Sequence, residues 1–564
     1  MLMTKWGEDL NKNCPLSEYP RPQFKRDSYL NLNGIWQCEF CESEEIPSKF
    51  SYDIVVPFSP ETPLSGVNRM LKSNEYLIYN KIFDLPDDFN KGKVFVHFGA
   101  VDQIAKVYLN GRFVGVHHGG YTPFSFEVSH LIQEHNTLNV VVRDLTEKNE
   151  YSRGKQKTNR GGIWYSAQSG IWQTVWLEST PDEYISNVRI TPDFDNQTVT
   201  FEADGNITIQ KLIYDGENLI ADTTDTVVKL ENVKEWSPEN PFLYDVVFKY
   251  KDDEVRSYFG MRKFSVGTDD NGMPRLMLNN KPYFMNGLLD QGYYPDGFLT
   301  PPSNDAMEFD VKSVKNLGFN MLRKHIKIEP MLWYHYCDVN GIIVWQDMIN
   351  GGGNYGLEVS AFPFVGINLD DSNYKIFKRT SLEARKLYYK ELEEMIAALY
   401  NCPCIAMWVP FNEGWGQFDS NYAYTLIKAM DNTRIVDSAS GWHDRGQTDV
   451  ISKHIYFTPI KVHSGNKPWC LTEFGGLSTR VKGHTFNNKM FGYKIFNSKQ
   501  GLTKAYKNLF EKTIIPQIKD GLSATVYTQV TDVEDELNGL FTYDRKVQKI
   551  DTEVLKSINE RVKL

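Results

Sequence analysis

Between Trp36 and Glu178 the apolar positions come in short runs rich in Val, Ile, Phe, Tyr and Trp, broken by turn residues, with hardly any repeat at the helical period. This pattern predicts an all-β unit. Its clearest piece is AKVYLNGRFVGV, Ala105 to Val116, where Asn110-Gly111 stands between two apolar stretches as a two-residue hairpin turn does. A second β block from Tyr184 to Val266 runs through NVRITPDF, TVTFEA and DVVFKYK, and its length suits a small sandwich. The Pro-bearing stretch from Ser179 to Glu183 and FGMRKF near Gly260 mark the boundaries. The expected domains are residues 1–180, 181–266 and 267–564.

After Pro282 short apolar strands alternate with amphipathic segments such as SLEARKLYYKELEEMIAALY, Ser381 to Tyr400, which implies parallel strands joined by crossover helices. Eight strands are predicted: YFMNG at 283, FNMLRK at 319, GIIVWQD at 341, CIAMWVPF at 404, RIVDSA at 434, VISKHIYF at 450, PWCLTEFGG at 468 and LSATVYTQV at 522. Eight such strands in the last domain predict a TIM barrel, which takes about 250 residues. Chemistry in that fold gathers at the carboxyl ends of the strands. Strand four ends at Asn412-Glu413, in MWVPFNEGWGQF, and strand seven ends at Glu473. Two carboxylates facing one cavity are the apparatus of glycoside hydrolysis, with one as acid/base and one as nucleophile about 5 Å away in the retaining case. Glu413, flanked in sequence by Trp408 and Trp415, suits the proton donor, and Glu473 suits the ionised nucleophile. Taken singly, either glutamate would pass for a salt-bridged residue at the barrel rim.

Composition narrows the alternatives. The 564 residues are 41% hydrophobic and 24% charged, as in a protein of several cored domains. Acidic residues outnumber basic ones, 72 to 62, and there is no basic block, so nucleic acid is not an expected partner. No apolar run approaches a membrane span and MLMTKWGEDLNKN lacks a signal-peptide core, so a cytoplasmic protein with no membrane partner is expected. Seven cysteines without regular spacing read as reduced thiols. Cys38/Cys41 and Cys402/Cys404 lack a second pair at ligand spacing, so neither a metal nor a cofactor is expected.

FNEGW, TEFGG, the N-terminal YPRPQFKRDSYLNLNGIWQ, the VYLNGRFVG hairpin and SGIWQTVWLE together resemble glycoside hydrolase family 2, the family of β-galactosidases, β-glucuronidases and β-mannosidases. The resemblance covers nearly the whole chain. It implies an N-terminal sugar-binding jelly-roll β-sandwich, an immunoglobulin-like β-sandwich and a catalytic (β/α)8 TIM barrel. It also implies a retaining exo-β-glycosidase acting on a carbohydrate, with Glu413 as acid/base and Glu473 as nucleophile. Asn412 would hydrogen-bond the sugar 2-hydroxyl, His325 in LRKHIKIEP would contact the sugar, and Tyr456 would hydrogen-bond the nucleophile. Trp442, Trp415, Asp290, Asp347 and His454 stand near strand ends as further substrate-binding candidates. For His325 the plain alternative is a capped rim histidine, and for Tyr456 and Trp442 it is packing at the barrel mouth.

Two departures from the family bear on the sugar. Its glucuronidases carry an Asn-x-Lys pair before a Gly-Ile-Phe-Thr-like segment, whereas DELNGLFTYDRK places Glu536 and Asn538 there. A second acidic group would repel a uronate, the plain alternative being that Glu536 points to solvent and an arginine elsewhere pairs with the substrate carboxylate. Its large β-galactosidases have additional C-terminal domains, whereas this sequence stops at the expected barrel, a departure expected to weaken a direct transfer of lactose specificity and to remove a usual source of subunit contacts, with a homo-oligomer left open. A β-galactoside or related neutral glycoside, pyranose or furanose, is expected, with β-glucuronidase, β-galacturonidase, β-galactofuranosidase or arabinosidase activity as alternatives.

Three rivals carry less weight. Gly351 to Gly356 fits G-x-G-x-x-G with Asp370 and Asp371 downstream, but LEVSAFPFVG is rich in β-branched residues and Pro363, so no clean helix is expected to receive a pyrophosphate. The stretch reads instead as a loop lining the barrel mouth. A non-catalytic carbohydrate-binding protein would not need the glutamate pair. A metal-dependent barrel hydrolase would need clustered ligands, and His325, His443 and His454 are scattered.

Overall fold

The computed structural model describes residues 2–463 and 465–564. The N-terminal β unit is a sandwich of two antiparallel sheets. Its six-stranded sheet runs in the order Tyr52–Val56, Gly34–Cys41, Tyr76–Asp84, His135–Arg143, Ile104–Leu109 and Arg112–His118. Its four-stranded sheet runs Tyr29–Asn31, Val175–Thr180, Lys93–Phe98 and Phe124–Glu127. Trp36, Tyr79, Val107 and Val140 are among the side chains that fill the space between them. The hairpin turns at Asn110 and Gly111, with φ of 51° and 74°, the doubly positive pair that lets two residues match the strand twist.

The middle unit packs the sheet Val188–Asp193, Thr198–Ala203, Val227–Lys229 against the sheet Asn218–Thr223, Gln210–Asp215, Tyr244–Tyr250, Asp253–Phe259. The seven strands enclose their own core around Phe201, Ile213, Phe248 and Phe259.

The remainder curls into an eight-stranded parallel sheet made of β1 (Met285–Asp290), β2 (Met321–Lys324), β3 (Ile343–Asp347), β4 (Ile405–Val409), β5 (Ile435–Val436), β6 (Ile451–Ile455), β7 (Trp469–Gly475) and β8 (Leu522–Thr528). All eight predicted strands are present, and the order 5-4-3-2-1-8-7-6 is that of a TIM barrel. Between β5 and β6 the ends are joined by Asp449, whose N–H donates to Val436 O and whose Oδ2 accepts from Val436 N, each at 2.9 Å. The helix predicted after Ser381 spans Leu382–Leu399, and the Ser381 hydroxyl accepts from Ala384 N as its N-cap.

The sandwich and the barrel share one continuous core, in which Tyr121, Tyr165 and Trp172 pack with the barrel residues. Among the described residues no helix is long and apolar enough to cross a membrane, and all seven cysteines are free thiols.

Candidate active site

The end of β4 shows how the sequence places a carboxylate over the barrel. Phe411 stacks on Tyr388 at 5.1 Å, and Tyr388 donates to Pro410 O, which anchors the strand end against the helix outside. Beyond it Asn412 bridges to Ser440, Glu413 N donates to Ser440 O at 3.0 Å, and Glu413 takes a φ of 51°. A left-handed glutamate is strained by about 1–3 kcal/mol, a cost met where surrounding structure fixes the residue for use. Trp408 does not flank the carboxylate as the sequence suggests. Its ring nitrogen donates to Asp431 at 2.9 Å on the outer face of the strand.

Glu413 and Glu473 come together with His454. Each of the three offers a ligand atom, and these atoms all lie within 4.8 Å of one another. His454 Nδ1 is 2.7 Å from Glu413 Oε1 and 3.5 Å from Glu473 Oε2. Burial pushes the Glu413 carboxyl up to about 7, against the pull of Lys155 and Arg323. Burial also depresses His454 to about 3, so its imidazole is neutral near neutral pH. Glu473 accepts from Tyr456 OH at 2.8 Å and from Arg323 Nη1 at 3.3 Å. Tyr456 lies flat on Tyr493, 3.8 Å between centroids.

Arg323, fully buried on β2, organises the floor of the site. It donates to both oxygens of Asp347 at 2.9 and 3.1 Å, to Asn412 Oδ1 at 2.8 Å and to Thr472 O at 3.1 Å. A guanidinium only donates, so Asn412 must present its carbonyl to Arg323. Its Nδ2 is buried without a partner, and is therefore the donor left for a ligand. Asp347 Oδ2 also pairs with His325 Nδ1 at 2.7 Å, leaving His325 Nε2 as that ring's remaining polar atom. Burial holds His325 well below the usual histidine range.

Other candidates sit farther out. Trp415 packs against Trp164 at 5.2 Å and edge-on to His325 at 6.4 Å. Trp442 meets Phe364 at 5.8 Å in the loop after β3. Asp290 belongs to a different cluster: it accepts from Lys324 Nζ at 2.6 Å, and Lys324 also donates to Glu329 at 2.8 Å over the Trp333 ring. Lys324 thus turns away from the glutamate pair.

Sequence reasoning missed Arg323, Tyr493 and Lys155. The signal for Arg323 was a charge inside a barrel strand, one residue from its end. Lys155 comes from the N-terminal sandwich, and its ammonium lies 5.5 Å from the Trp415 ring centroid and 5.4 Å from that of Tyr165. Glu536 does not point to solvent: it is 2% exposed, accepts from Tyr165 OH and takes 2.9 Å from Asn538 Nδ2.

Gly356 leads into a five-residue helix, Leu357–Ala361, then a short 3-10 turn holding Pro363. A helix does start there, one turn long, and the preceding glycines are packed rather than open. A Cβ on Gly351 would lie 2.4 Å from Tyr151 O, and Gly352 O accepts from Arg153.

Among the described residues, Glu413, His454 and Glu473 form the one group of three His, Cys, Asp or Glu side chains whose ligand atoms converge. A hydrogen bond already links His454 to Glu413, and the Arg323 guanidinium donates to Glu473, an arrangement suited to a shared proton rather than a cation.

Comparison with known proteins agrees with this architecture. Family models described as glycosyl hydrolases family 2 match in three consecutive pieces: the sugar binding domain at residues 25–181, a central piece at 183–262 and the TIM barrel domain at 273–560. A β-galactosidase of Thermoanaerobacter pseudethanolicus is 26% identical over 496 residues, covering 82% of this chain and 61% of that protein. A β-glucuronidase of Streptococcus agalactiae is 24% identical over 429 residues, covering 70% and 68%. The chain spans 61% and 45% of the β-galactosidases of T. pseudethanolicus and Lactococcus lactis. Among solved structures, a β-glucuronidase of Ruminococcus gnavus superposes with a TM-score of 0.75 at 18% identity, covering 97% of this chain and 99% of that one. A β-galacturonidase of Eisenbergiella tayi bound to galacturonate gives 0.70 at 19%, covering 96% and 98%. At such identities these structures speak for the fold alone.

Proposed function

The chain belongs to glycoside hydrolase family 2, and from that premise we propose that it is a glycoside hydrolase, a retaining exo-β-glycosidase that removes a terminal neutral sugar, β-galactoside-like, by double displacement. The observation that carries the reading is the closeness of Glu413 and Glu473, whose carboxylate oxygens come within 4.8 Å. Retaining enzymes hold their carboxyl groups about 5–5.5 Å apart and inverting ones about 6.5–9.5 Å apart, with room for a water between.

In this mechanism Glu473 attacks the anomeric carbon while Glu413 gives its proton to the leaving oxygen, and a water activated by Glu413 then releases the sugar. The surroundings support these roles. Burial keeps Glu413 protonated to about pH 7, while Arg323 and Tyr456 aim their donors at Glu473. The free Asn412 Nδ2 suits the 2-hydroxyl, a contact that strengthens in the transition state. Trp164 and Lys155 reach from the sandwich to Trp415, a placement that would close one side of the site and favour action on chain ends.

For the sugar, buried Glu536 favours a neutral substrate. One observation favours a uronide instead: among the described residues, no carboxylate lies within 4 Å of the buried Lys155 ammonium. The test is release of nitrophenol from 4-nitrophenyl β-galactopyranoside, β-glucuronide, β-mannoside, β-galactofuranoside, α-arabinoside and β-galacturonide, with Glu473→Gln as control. Preference for a neutral glycoside, abolished in the variant, is expected. Preference for a uronide overturns the choice of sugar, and unchanged turnover in Glu473→Gln overturns the mechanism.

A further inference from the structure

His454 stands between the two carboxylates, and both of its nitrogens are engaged. Nδ1 lies 2.7 Å from Glu413 Oε1. Nε2 lies 3.3 Å from Arg323 Nη1 and 3.2 Å from Ser440 Oγ. Because Arg323 can only donate, Nε2 accepts and the ring proton sits on Nδ1. Nδ1–H therefore donates to Glu413 Oε1. The ring has little freedom to turn. Behind it Gly441 has a φ of 84°, and a Cβ there would come within 2.5 Å of His454 Cγ. The charged groups facing the ring are Glu413, Glu473, Arg323 and, from the sandwich, Lys155, with Lys453 on its own strand.

We propose that His454 is the positioning residue for Glu413, holding Oε1 so that Oε2 alone carries the proton in the reaction. The inference rests on the roles proposed above for the two glutamates. In the first step the Oε2 proton passes to the glycosidic oxygen as its bond to the anomeric carbon breaks and Glu473 forms the ester. In the second, a water proton returns to Oε2 as the water oxygen attacks that carbon and the Glu473 ester opens. Without the tether the carboxyl rotates, and the proton is aimed at the leaving oxygen only part of the time. With both nitrogens committed, His454 keeps no polar atom for the sugar, so a substrate contact is not its role.

The test compares phenyl with 2,4-dinitrophenyl β-galactopyranoside, or the same pair on whichever sugar the panel selects. Dinitrophenolate departs without a proton and phenolate needs one. His454→Leu should lower kcat/KM on the phenyl glycoside by about 10- to 100-fold, the worth of a hydrogen bond to a charged group, and barely change it on the dinitrophenyl glycoside. Its alkaline limb should move to higher pH, since the lost donor favours the ionised carboxyl. His454→Asn places an amide N–H near the Nδ1 position and should recover most of the phenyl rate, with thermal melting to confirm that both variants fold. Equal losses on the two substrates would mean that His454 acts through Glu473 or the fold, and would overturn the proposal. Asn performing no better than Leu would do the same. Glu413→Gln is the separate check on the underlying reading: absence of a selective phenyl loss there would remove the acid role itself, and His454's with it.

Discussion

Replacing Arg323 with Met isolates the residue on which the floor of the site depends. Its guanidinium makes two bonds to Asp347, one to Asn412 and one to Glu473, and it is fully buried. Removing one partner of a buried ion pair leaves the other charge uncompensated, at about 3–5 kcal/mol. The variant should therefore lose about that much stability in urea unfolding of the barrel. Activity should fall as well. Glu473 loses a donor worth about 1.5–3 kcal/mol, and Asn412 loses the bond that orients its amide, so kcat/KM should drop about 100- to 1000-fold. The two effects can be separated. Adding Asp347→Leu removes one stranded carboxylate but also takes the partner of His325 Nδ1, and should recover part of the stability but none of the activity. A single variant less than about 1 kcal/mol weaker than wild type, as for an exposed pair, would refute the buried network.

Three further outcomes follow from the site. Burial raises the Glu413 carboxyl from 4.5 to about 7, so its contribution to stability is complete below about pH 4.5 and is lost as pH rises through about 7. Glu413→Gln should therefore gain on wild type by roughly 3 kcal/mol between about pH 4 and pH 8 in chemical unfolding, and a pH-independent difference would contradict the burial argument. Asn412→Ala should cost about 10²- to 10³-fold in kcat/KM on the preferred glycoside and far less on its 2-deoxy analogue, since only the former offers the hydroxyl. Lys155→Met removes a cation that favours ionised Glu413, so the alkaline limb of the pH–rate profile should move upward, and a downward shift would misplace the lysine.

The barrel strands were legible because each is a short apolar run bounded by turn residues, and the helix after Ser381 because its cap and amphipathic period coincide. The same burial hid the inner residues. All four side chains of Met321–Lys324 are buried, so the period of two that separates inside from outside in an exposed sheet disappears. Arg323 and Lys324 look equivalent in sequence, yet one meets Glu473 and the other Asp290. Trp408 misled for the same reason: a neighbour in sequence on a strand points to the opposite face. Lys155 and Tyr165 were beyond reach because their place at the pocket depends on how the sandwich docks on the barrel, which no local pattern encodes. Glu536 was seen, but only the fold shows it buried against Tyr165. His454 was expected near the sugar, and its commitment to Glu413 becomes visible only when β4 and β6 are brought together.

The central claim is that Glu473 forms a covalent bond to the sugar. A 2,4-dinitrophenyl 2-deoxy-2-fluoro-β-glycoside of the preferred sugar, which slows release of the ester more than its formation, should add one fluoro-sugar mass to the intact protein. Peptide mapping should place that mass on Glu473 in LTEFGG. A label on any other residue, or inverted product from an enzyme that never acquires the label, would contradict the account.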